Sequence, residues 1–335
     1  MRGLMVAAAF VIVVAGMKAA RALLAPFLLA LFIAIAVLPA MLWLRRHGVP
    51  IPAAITVIAT ALLGALSGLG VAIGRAAADL SRKLPQYEAG LRAQLDHFLG
   101  VLASWGIVAD PQMLRDQFDP AAALSFVAQA LTGLGGVLAS AFMIVLTVVF
   151  LLFEFASLPH KWAHMGEHAP DRARVERALS GIHSYLVVKT LVSLATGLLA
   201  ALLLWAVGVD YAMLWGIVAF LLNFVPNIGS FIAAAPPVLL AWVALSGWHA
   251  LVVAAGYLVI NLVIGNFIEP RLMGREVGLS TLVVFLSMVF WGWVLGPVGM
   301  LLSAPLTMIV RLALEADART RWVAVLIGPD LPPKG

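Results

Sequence analysis

Two short breaks rich in proline, glycine and asparagine interrupt long apolar segments of the chain. The first is Val225-Pro226-Asn227-Ile228-Gly229, and the second is Gly296-Pro297-Val298-Gly299. Proline removes an amide donor and glycine permits unwinding, so each break frees backbone carbonyls that protein or water must satisfy. Asparagine side chains offer donors and acceptors, either for a hydroxylated ligand or for those freed groups. The residues that we predict along a substrate path are Asn223, Pro226, Asn227, Gly229, Ser230, Gly296, Pro297 and Gly299.

Ionisable residues are rare in the apolar segments, and each one is a functional candidate. Lys189 lies inside an apolar crossing, where it either has a function or extends its ammonium group to the interface. Glu269 and Arg271 either pair, with each other or with another loop, and act as a gate, or anchor the chain at the interface. The residues that we predict for gating or coupling are Lys189, Asn266, Glu269, Pro270 and Arg271.

Signatures of catalysis and of metal binding are weak. The chain has no cysteine, no His-Glu-x-x-His and no Gly-x-Ser-x-Gly sequence, which argues against an enzyme. His160, His164 and His168 would share one helix face, a geometry compatible with a metal. Gly166 and Pro170 weaken a helix there, so we expect no metal and no other cofactor.

The elements that position these residues are apolar and long. Tyr211 to Ile268 is a run of 58 residues without Asp, Glu, Lys or Arg, whereas a helical bilayer crossing needs about 20. Other runs free of these four residue types are Ala22–Leu44, Gly48–Gly74, Pro120–Phe153, Thr190–Val209 and Val277–Val310. We therefore predict an all-α polytopic membrane protein with seven or eight hydrophobic elements, some of them broken or re-entrant.

Composition supports a lipid bilayer as the main partner. The chain is 63% hydrophobic and 11% charged, against roughly 25% charged residues in soluble domains. Its net charge of +5 is too diffuse to indicate a nucleic-acid partner. The Lys and Arg residues gather instead in short segments between apolar runs, where they orient membrane proteins.

This charge pattern predicts the organisation of the chain. Basic residues at the Arg45-Arg46 turn, in the loop 156–178 and after Val310 indicate cytoplasmic segments, so both termini are expected in the cytoplasm. We predict N-terminal transmembrane helices over 1–75 and an extracytoplasmic amphipathic helical insert over 76–130. A transmembrane transport core would cover 131–312, and a cytoplasmic tail would cover 313–335.

The insert contains a narrow apolar seam of heptad type. It either packs on the bilayer or on its own domain, or joins identical subunits. Pro85 is expected to kink or start the helix there. Before the insert, Gly64, Gly68, Gly70 and Gly74 would permit close approach of a neighbouring helix. The seam residues are Leu80, Leu84, Tyr87, Leu91, Leu95, Phe98 and Leu102.

The two broken stretches, Tyr211–Val243 and Ser280–Arg311, are too long for one upright crossing and too interrupted for one straight helix. Each forms a hairpin or a bent crossing. Their Pro/Gly spacing is weakly similar, since Pro226-x-x-Gly229 and Pro297-x-Gly299 each precede another proline. Interrupted apolar segments that occur as a pair indicate a transporter site.

The chain resembles the autoinducer-2 exporter family of permeases. The resemblance rests on LLALFIAIAVLPAMLWLRRHGVP at 28–50, LLNFVPNIGSFIAAAPPVLLA at 221–241 and NFIEPRLMGREVGLSTLVVFLSMVFWGWVLGPVGMLLSAPLTMIVRL at 266–312. It implies a helical transporter of the bacterial inner membrane that assembles as a homo-oligomer. Some relatives export autoinducer-2 and others resemble cation/proton antiporters, so the resemblance does not decide the transported molecule.

We therefore expect a secondary transporter that exports a small polar metabolite or signalling molecule. No Walker-type motif occurs, so energy would come from an ion gradient or from the cargo's own gradient. The alternative is a sodium/proton antiporter, which needs a titratable carboxylate reachable from the membrane centre. Glu154, Asp210 and Glu269 are the candidates, and all lie at segment ends. A membrane scaffold without transport would not require the paired breaks.

Overall fold

The computed structural model describes residues 2–104, 141–165, 172–225, 228–273, 279–316 and 319–328. Within these ranges the chain is helical and contains no strand. The helices are α1 (Arg2–Ala19), α2 (Arg21–Arg46), α3 (Ile51–Ser104), α4 (Ala141–Met165), α5 (Arg172–Val207), α6 (Ala212–Leu222), α7 (Ile228–Ala244), α8 (Gly247–Asn261), α9 (Glu269–Met273), α10 (Thr281–Leu295), α11 (Pro297–Leu301), α12 (Ser303–Ala316) and α13 (Arg321–Ile327). A π-helical segment, Leu262–Ile268, joins α8 to α9.

The helices confirm the predicted all-α polytopic membrane fold. Five of them, within the described ranges, are long and apolar enough to cross a bilayer. Large apolar side chains remain exposed along these crossings, for example Leu198 and Trp205 on α5, at 59% and 76%. Such a surface suits contact with acyl chains rather than with water. The candidate crossings are Arg21–Arg46, Ile51–Leu80, Ala141–Leu158, Leu179–Val207 and Gly247–Leu272.

Helix α3 is much longer than its crossing. It has 54 residues, or ~80 Å, and therefore extends far beyond the bilayer after Leu80. Pro85 lies inside this continuous helix, so the expected helix start at Pro85 is wrong. Of the seam, the side chains of Leu80 and Tyr87 are described, and both are buried within this chain's own core. The insert beyond residue 104 lies outside the described residues.

Three of the four glycines on this part of α3 have no close neighbour among the described residues. A Cβ atom placed on Gly64, Gly68 or Gly74 would have no heavy atom within 4 Å. The expected close approach of another helix at these positions therefore does not occur within the described part of the chain.

The two faces of the helix bundle can be named from α3. The Arg45 side is the face where α2 ends and α3 begins, and the Lys83 side is the face that α3 reaches after Leu80. Helix α5 ends on the Lys83 side, because Asp210, in the turn after it, lies 3.6 Å from the Lys83 ammonium nitrogen.

Helices α6 and α7 form the first hairpin, which enters from the Lys83 side. Helix α6 starts beside Lys83 and runs back along α5, where Asn223 bonds to Ser193. Helix α7 returns to the same side, because a Cβ on Gly90 of α3 would lie 2.9 Å from the Val243 carbonyl oxygen. Lys83 and Gly90 are only ~10 Å apart on α3. The first broken stretch is therefore a re-entrant hairpin and not a bent crossing.

Helices α10, α11 and α12 form the second hairpin, which enters from the Arg45 side. Helix α12 runs back along α10, since the Trp291 indole nitrogen donates to the Thr307 hydroxyl at 3.0 Å. A Cβ on Gly181, near the Arg45-side end of α5, would lie 3.8 Å from the Met308 methyl group. The Ser280 amide donates to the Ile327 carbonyl of α13, so both ends of the hairpin lie together. The two hairpins thus enter the bundle from opposite faces.

Candidate substrate path

A column of buried polar side chains follows one face of α5. Lys189, Ser193 and Thr196 are spaced four and three residues apart, which places them on the same helix face. They are 3%, 0% and 6% exposed. Ser193 is 14 residues from either end of the crossing Leu179–Val207, or ~21 Å. The column therefore begins in the Arg45-side half of the crossing and passes its midpoint.

Lys189 pairs with Glu269 at the Arg45-side end of this column. The Lys189 ammonium nitrogen lies 2.5 Å from a Glu269 carboxylate oxygen, and the side chains are 4% and 18% exposed. A lysine held in this way does not extend its ammonium group to the interface, so the snorkelling interpretation is wrong, and a functional role of Lys189 stays a prediction. Each charge is stabilised by the other, because either one alone would be buried without a partner.

The π-helical segment determines which residue faces Lys189. Tyr257 and Ile264, two turns apart, are both buried on the inner face of this helix. An α-helix would next bring Ile268 to that face, but Ile268 is 41% exposed and Glu269 lies inside. The wider i→i+5 spacing of a π-helix carries Glu269 to the position below Ile264. Such π segments are frequent at functional sites.

The tip of the first hairpin meets the column at Ser193. The Asn223 amide nitrogen, at the end of α6, donates to the Ser193 hydroxyl at 3.0 Å, and Asn223 is 8% exposed. Pro226 and Asn227 lie outside the described residues, so their predicted contact with a substrate stays a prediction. The structure thus places one of the predicted asparagines at the middle of the α5 crossing.

Gly229 allows the first hairpin to turn. A Cβ at this position would lie 1.8 Å from the Leu222 carbonyl oxygen, a separation that no side chain can adopt. Helix α7 therefore begins directly against the end of α6. The next residue, Ser230, lines a cavity between α7 and α8.

The second break uses glycine in the same way. A Cβ on Gly299 would lie 2.0 Å from the Trp291 carbonyl oxygen, and Gly296 has a φ of 73°, which favours glycine. Gly296 and Pro297 line a separate cavity of about 350 Å³ beside Arg21 and Pro26 at the start of α2. The two predicted breaks share a geometry, but they line different cavities.

The remaining gating candidates lie at the surface of this chain. Asn266, Pro270 and Arg271 are exposed, unlike Glu269. Of the five predicted gating residues, the structure brings together only Lys189 and Glu269. Ser193 and Thr196 were missed by the sequence interpretation. Their spacing from Lys189 along one helix face was the signal that could have identified them.

A polar cluster on the Lys83 side ties the first hairpin to α3. Lys83 lies between Asp79 and Asp210, at 3.7 and 3.6 Å. Tyr87 donates to Asp210 at 2.6 Å, and Tyr211 donates to Asp79 at 2.7 Å. The Asp210 carboxylate raises the pKa of the Lys83 ammonium group, while burial and the bond to Asp210 raise the pKa of Tyr87. The cluster fixes the turn in which α6 begins.

Comparison with known proteins gives a consistent result over nearly the whole chain. The model of the AI-2E family transporters matches residues 7–318. The AI-2 transport protein TqsA of Escherichia coli (strain K12) is 44% identical over 318 residues, covering 95% of this chain and 92% of TqsA. The protein YhhT of the same organism, whose name describes transport without a cargo, is 39% identical and covers 97% of this chain and 93% of YhhT. A similarly named Haemophilus influenzae protein is 39% identical over 334 residues, covering 98% of this chain and 96% of that protein.

Proposed function

The chain belongs to the AI-2E transporter family, and we propose that it is a secondary transporter that exports a small polar metabolite or signalling molecule. AI-2, the molecule in the name of its relative TqsA, is the first cargo to test. The observation that carries the proposal is the buried Lys189–Glu269 pair, one turn below the contact between Ser193 and the tip of the first hairpin.

The pair has the properties of a gate. Separating Lys189 from Glu269 in a dry bundle would leave two unpaired charges, which is strongly unfavourable. Separation therefore requires water or a polar cargo to replace each partner. A closed pair would block the path toward the Arg45 side, and an open pair would form a polar passage along Ser193 and Thr196. Transport requires no covalent step in this scheme, so we propose no enzymatic activity.

The proposal also includes the orientation of the chain in the membrane and its assembly. We propose a location in the bacterial inner membrane with the Arg45 side and both termini in the cytoplasm, because basic residues favour that side. The Lys83 side, with the insert, then faces outward. The first hairpin would enter from outside and the second from the cytoplasm, an arrangement typical of transporters that expose a site alternately to each side. Homo-oligomeric assembly remains part of the proposal.

A sodium/proton antiporter is the second candidate function. The observation that favours it is the low exposure of Glu269, a carboxylate held beside the crossing helix α5 rather than free at a segment end. In this alternative an ion gradient, rather than the gradient of an uncharged solute, would drive opening of the gate. The two functions differ in whether an uncharged solute moves.

Counterflow in proteoliposomes tests the proposal. We expect vesicles preloaded with AI-2 to accumulate labelled AI-2, and the variants Lys189→Met and Glu269→Gln to lose at least tenfold in rate. The matched control is Lys161→Met, since Lys161 pairs with Glu154 at the surface, where the side chains are 50% and 56% exposed. Sodium/proton exchange without AI-2 counterflow would instead establish the antiporter. Absence of both activities would contradict transport of these cargoes.

A further inference from the structure

The last described helix, α13, is held at both ends by the mouth of the second hairpin, where α10 begins and α12 ends. At its start, the Thr320 hydroxyl donates to the Leu314 carbonyl in the last turns of α12, at 2.8 Å. At its end, the Ile327 carbonyl accepts from the amide of Ser280, the residue before α10, at 3.2 Å. Helix α13 is ~10 Å long, about the 8–10 Å that separates the axes of packed helices. It therefore lies across the mouth of the hairpin rather than along either leg.

Exposed apolar side chains show where the hydrocarbon region begins beside this mouth. Leu282 lies two residues after Ser280 on α10, and Val310 lies one turn before Leu314 on α12. Both side chains are exposed, and an exposed apolar side chain on a membrane helix contacts acyl chains. Because α13 is bonded to Ser280 and Leu314, it lies within about one turn, or ~5 Å, of the level where lipid contact begins. That level is the boundary between acyl chains and headgroups.

One face of α13 is apolar and exposed. Trp322, Val325 and Leu326 have the spacing i, i+3 and i+4, which places them on the same helix face. Their side chains are 64%, 53% and 69% exposed, whereas Ala324 on the other side of the helix is fully buried. Arg321 is also exposed and borders the apolar face. A tryptophan beside a basic residue is typical of helices that lie in the membrane interface.

We propose that α13 lies in the headgroup region of the leaflet on the Arg45 side, and that its partner is an anionic lipid surface. The side chains of Trp322, Val325 and Leu326 enter the boundary between headgroups and acyl chains, about 5–10 Å deep. The Arg321 guanidinium group binds lipid phosphate. Because α13 bonds to both legs of the second hairpin, the leaflet holds the mouth of that hairpin in place. This membrane contact does not depend on the transported molecule.

Quenching of a fluorophore by nitroxide-labelled lipids tests this contact in the full-length protein, which has no native cysteine. A bimane probe is attached to Leu326→Cys in vesicles of equal parts phosphatidylglycerol and phosphatidylcholine. We expect a nitroxide near the headgroup to quench it at least about twofold more than one at the end of the acyl chain. Leu198→Cys, exposed on the α5 crossing, should show the reverse order. Gln86→Cys, exposed on α3 beyond its crossing, should be quenched little by either lipid.

The composition of the vesicles tests the anionic partner. In pure phosphatidylcholine, quenching of the Leu326→Cys probe by the headgroup-level nitroxide should fall at least about twofold, because arginine near an anionic surface is attracted to it. Adding Arg321→Gln should have the same effect in the mixed vesicles. The matched control is Arg82→Gln, an exposed arginine on the Lys83 side of the bundle, which should leave the quenching unchanged.

Each other outcome contradicts part of the proposal. Quenching of the Leu326→Cys probe as weak as that of Gln86→Cys would mean that this face meets water, and it would overturn the membrane contact. Equal quenching with and without phosphatidylglycerol would overturn the anionic partner. Cross-linking of two Leu326→Cys subunits by a short bismaleimide, without nitroxide quenching, would assign the face to a second copy of this chain. Trp322→Cys repeats the measurement one turn away, so that the local effect of one substitution cannot decide the result.

Discussion

The sequence identified some charged residues as functional candidates, because charged residues are rare in this chain. Lys189 and Glu269 are conspicuous in apolar surroundings, and both were predicted as functional candidates. Their pairing was not predictable, since 80 residues separate them and the π-helical segment must first direct Glu269 inward. Sequence periodicity assumes α-helical spacing, and a single wider turn changes the residue that faces the core. Asn223 was predicted for the same path, but its partner Ser193 was not.

We expect removal of one charge from the buried pair to destabilise the protein more than removal of both. Lys189→Met should cost about 3–5 kcal/mol in unfolding free energy, because Glu269 is then left buried without a partner. The double variant Lys189→Met/Glu269→Gln should recover most of that loss. Denaturant unfolding in detergent measures each value.

The exposed ion pair of Lys161 and Glu154 provides the control for this double-mutant cycle. Lys161→Met should change the unfolding free energy by less than about 1 kcal/mol, because exposed ion pairs contribute little. Equal losses for Lys161→Met and Lys189→Met would contradict the role of burial. Additive losses in the double variant would show that Lys189 and Glu269 do not stabilise each other.

Helical elements were predicted well where apolar runs are continuous and less well where proline interrupts them. The breaks at Pro226 and Gly296 were recognised, but whether the chain turns back there depends on how closely a returning helix can approach a carbonyl. Gly229 and Gly299 permit that approach, which the residue pattern alone does not reveal. The helix start expected at Pro85 was wrong, because α3 continues through this residue, and Leu80 and Tyr87 on either side of it belong to the core that includes the first hairpin.

We expect Gly229→Ala to disrupt the first hairpin. The new methyl group would lie 1.8 Å from the Leu222 carbonyl oxygen, which is backbone and cannot move aside easily. The loss in unfolding free energy should be at least about 3 kcal/mol, the upper range for overpacking. Gly68→Ala is the control, since a methyl group there meets nothing within 4 Å and should slightly favour the helix. Equal melting temperatures for the two variants would contradict the described turn.

Assembly of identical subunits through the seam stays a prediction for the whole molecule. Leu80 and Tyr87 are buried in the core of this chain, so the prediction is tested further along α3. Charging Leu91 and Leu95 together should therefore shift the detergent-solubilised particle to a smaller mass, as measured by light scattering. A particle of unchanged mass would favour the surface-helix interpretation of the seam.

The topology of the whole molecule follows from the two hairpins entering from opposite faces. The chain has no native cysteine, so single cysteines report position without interference. We expect a membrane-impermeant maleimide added to intact cells to label Asp210→Cys and Ser246→Cys, at the two ends of the first hairpin on the Lys83 side. His47→Cys and Arg321→Cys, on the Arg45 side, should react only after the cells are opened. Both hairpin ends must react alike, because a bent crossing would place them on opposite faces. Labelling of Asp210→Cys but not Ser246→Cys would contradict the re-entrant hairpin, and labelling of His47→Cys in intact cells would reverse the orientation derived from the basic residues.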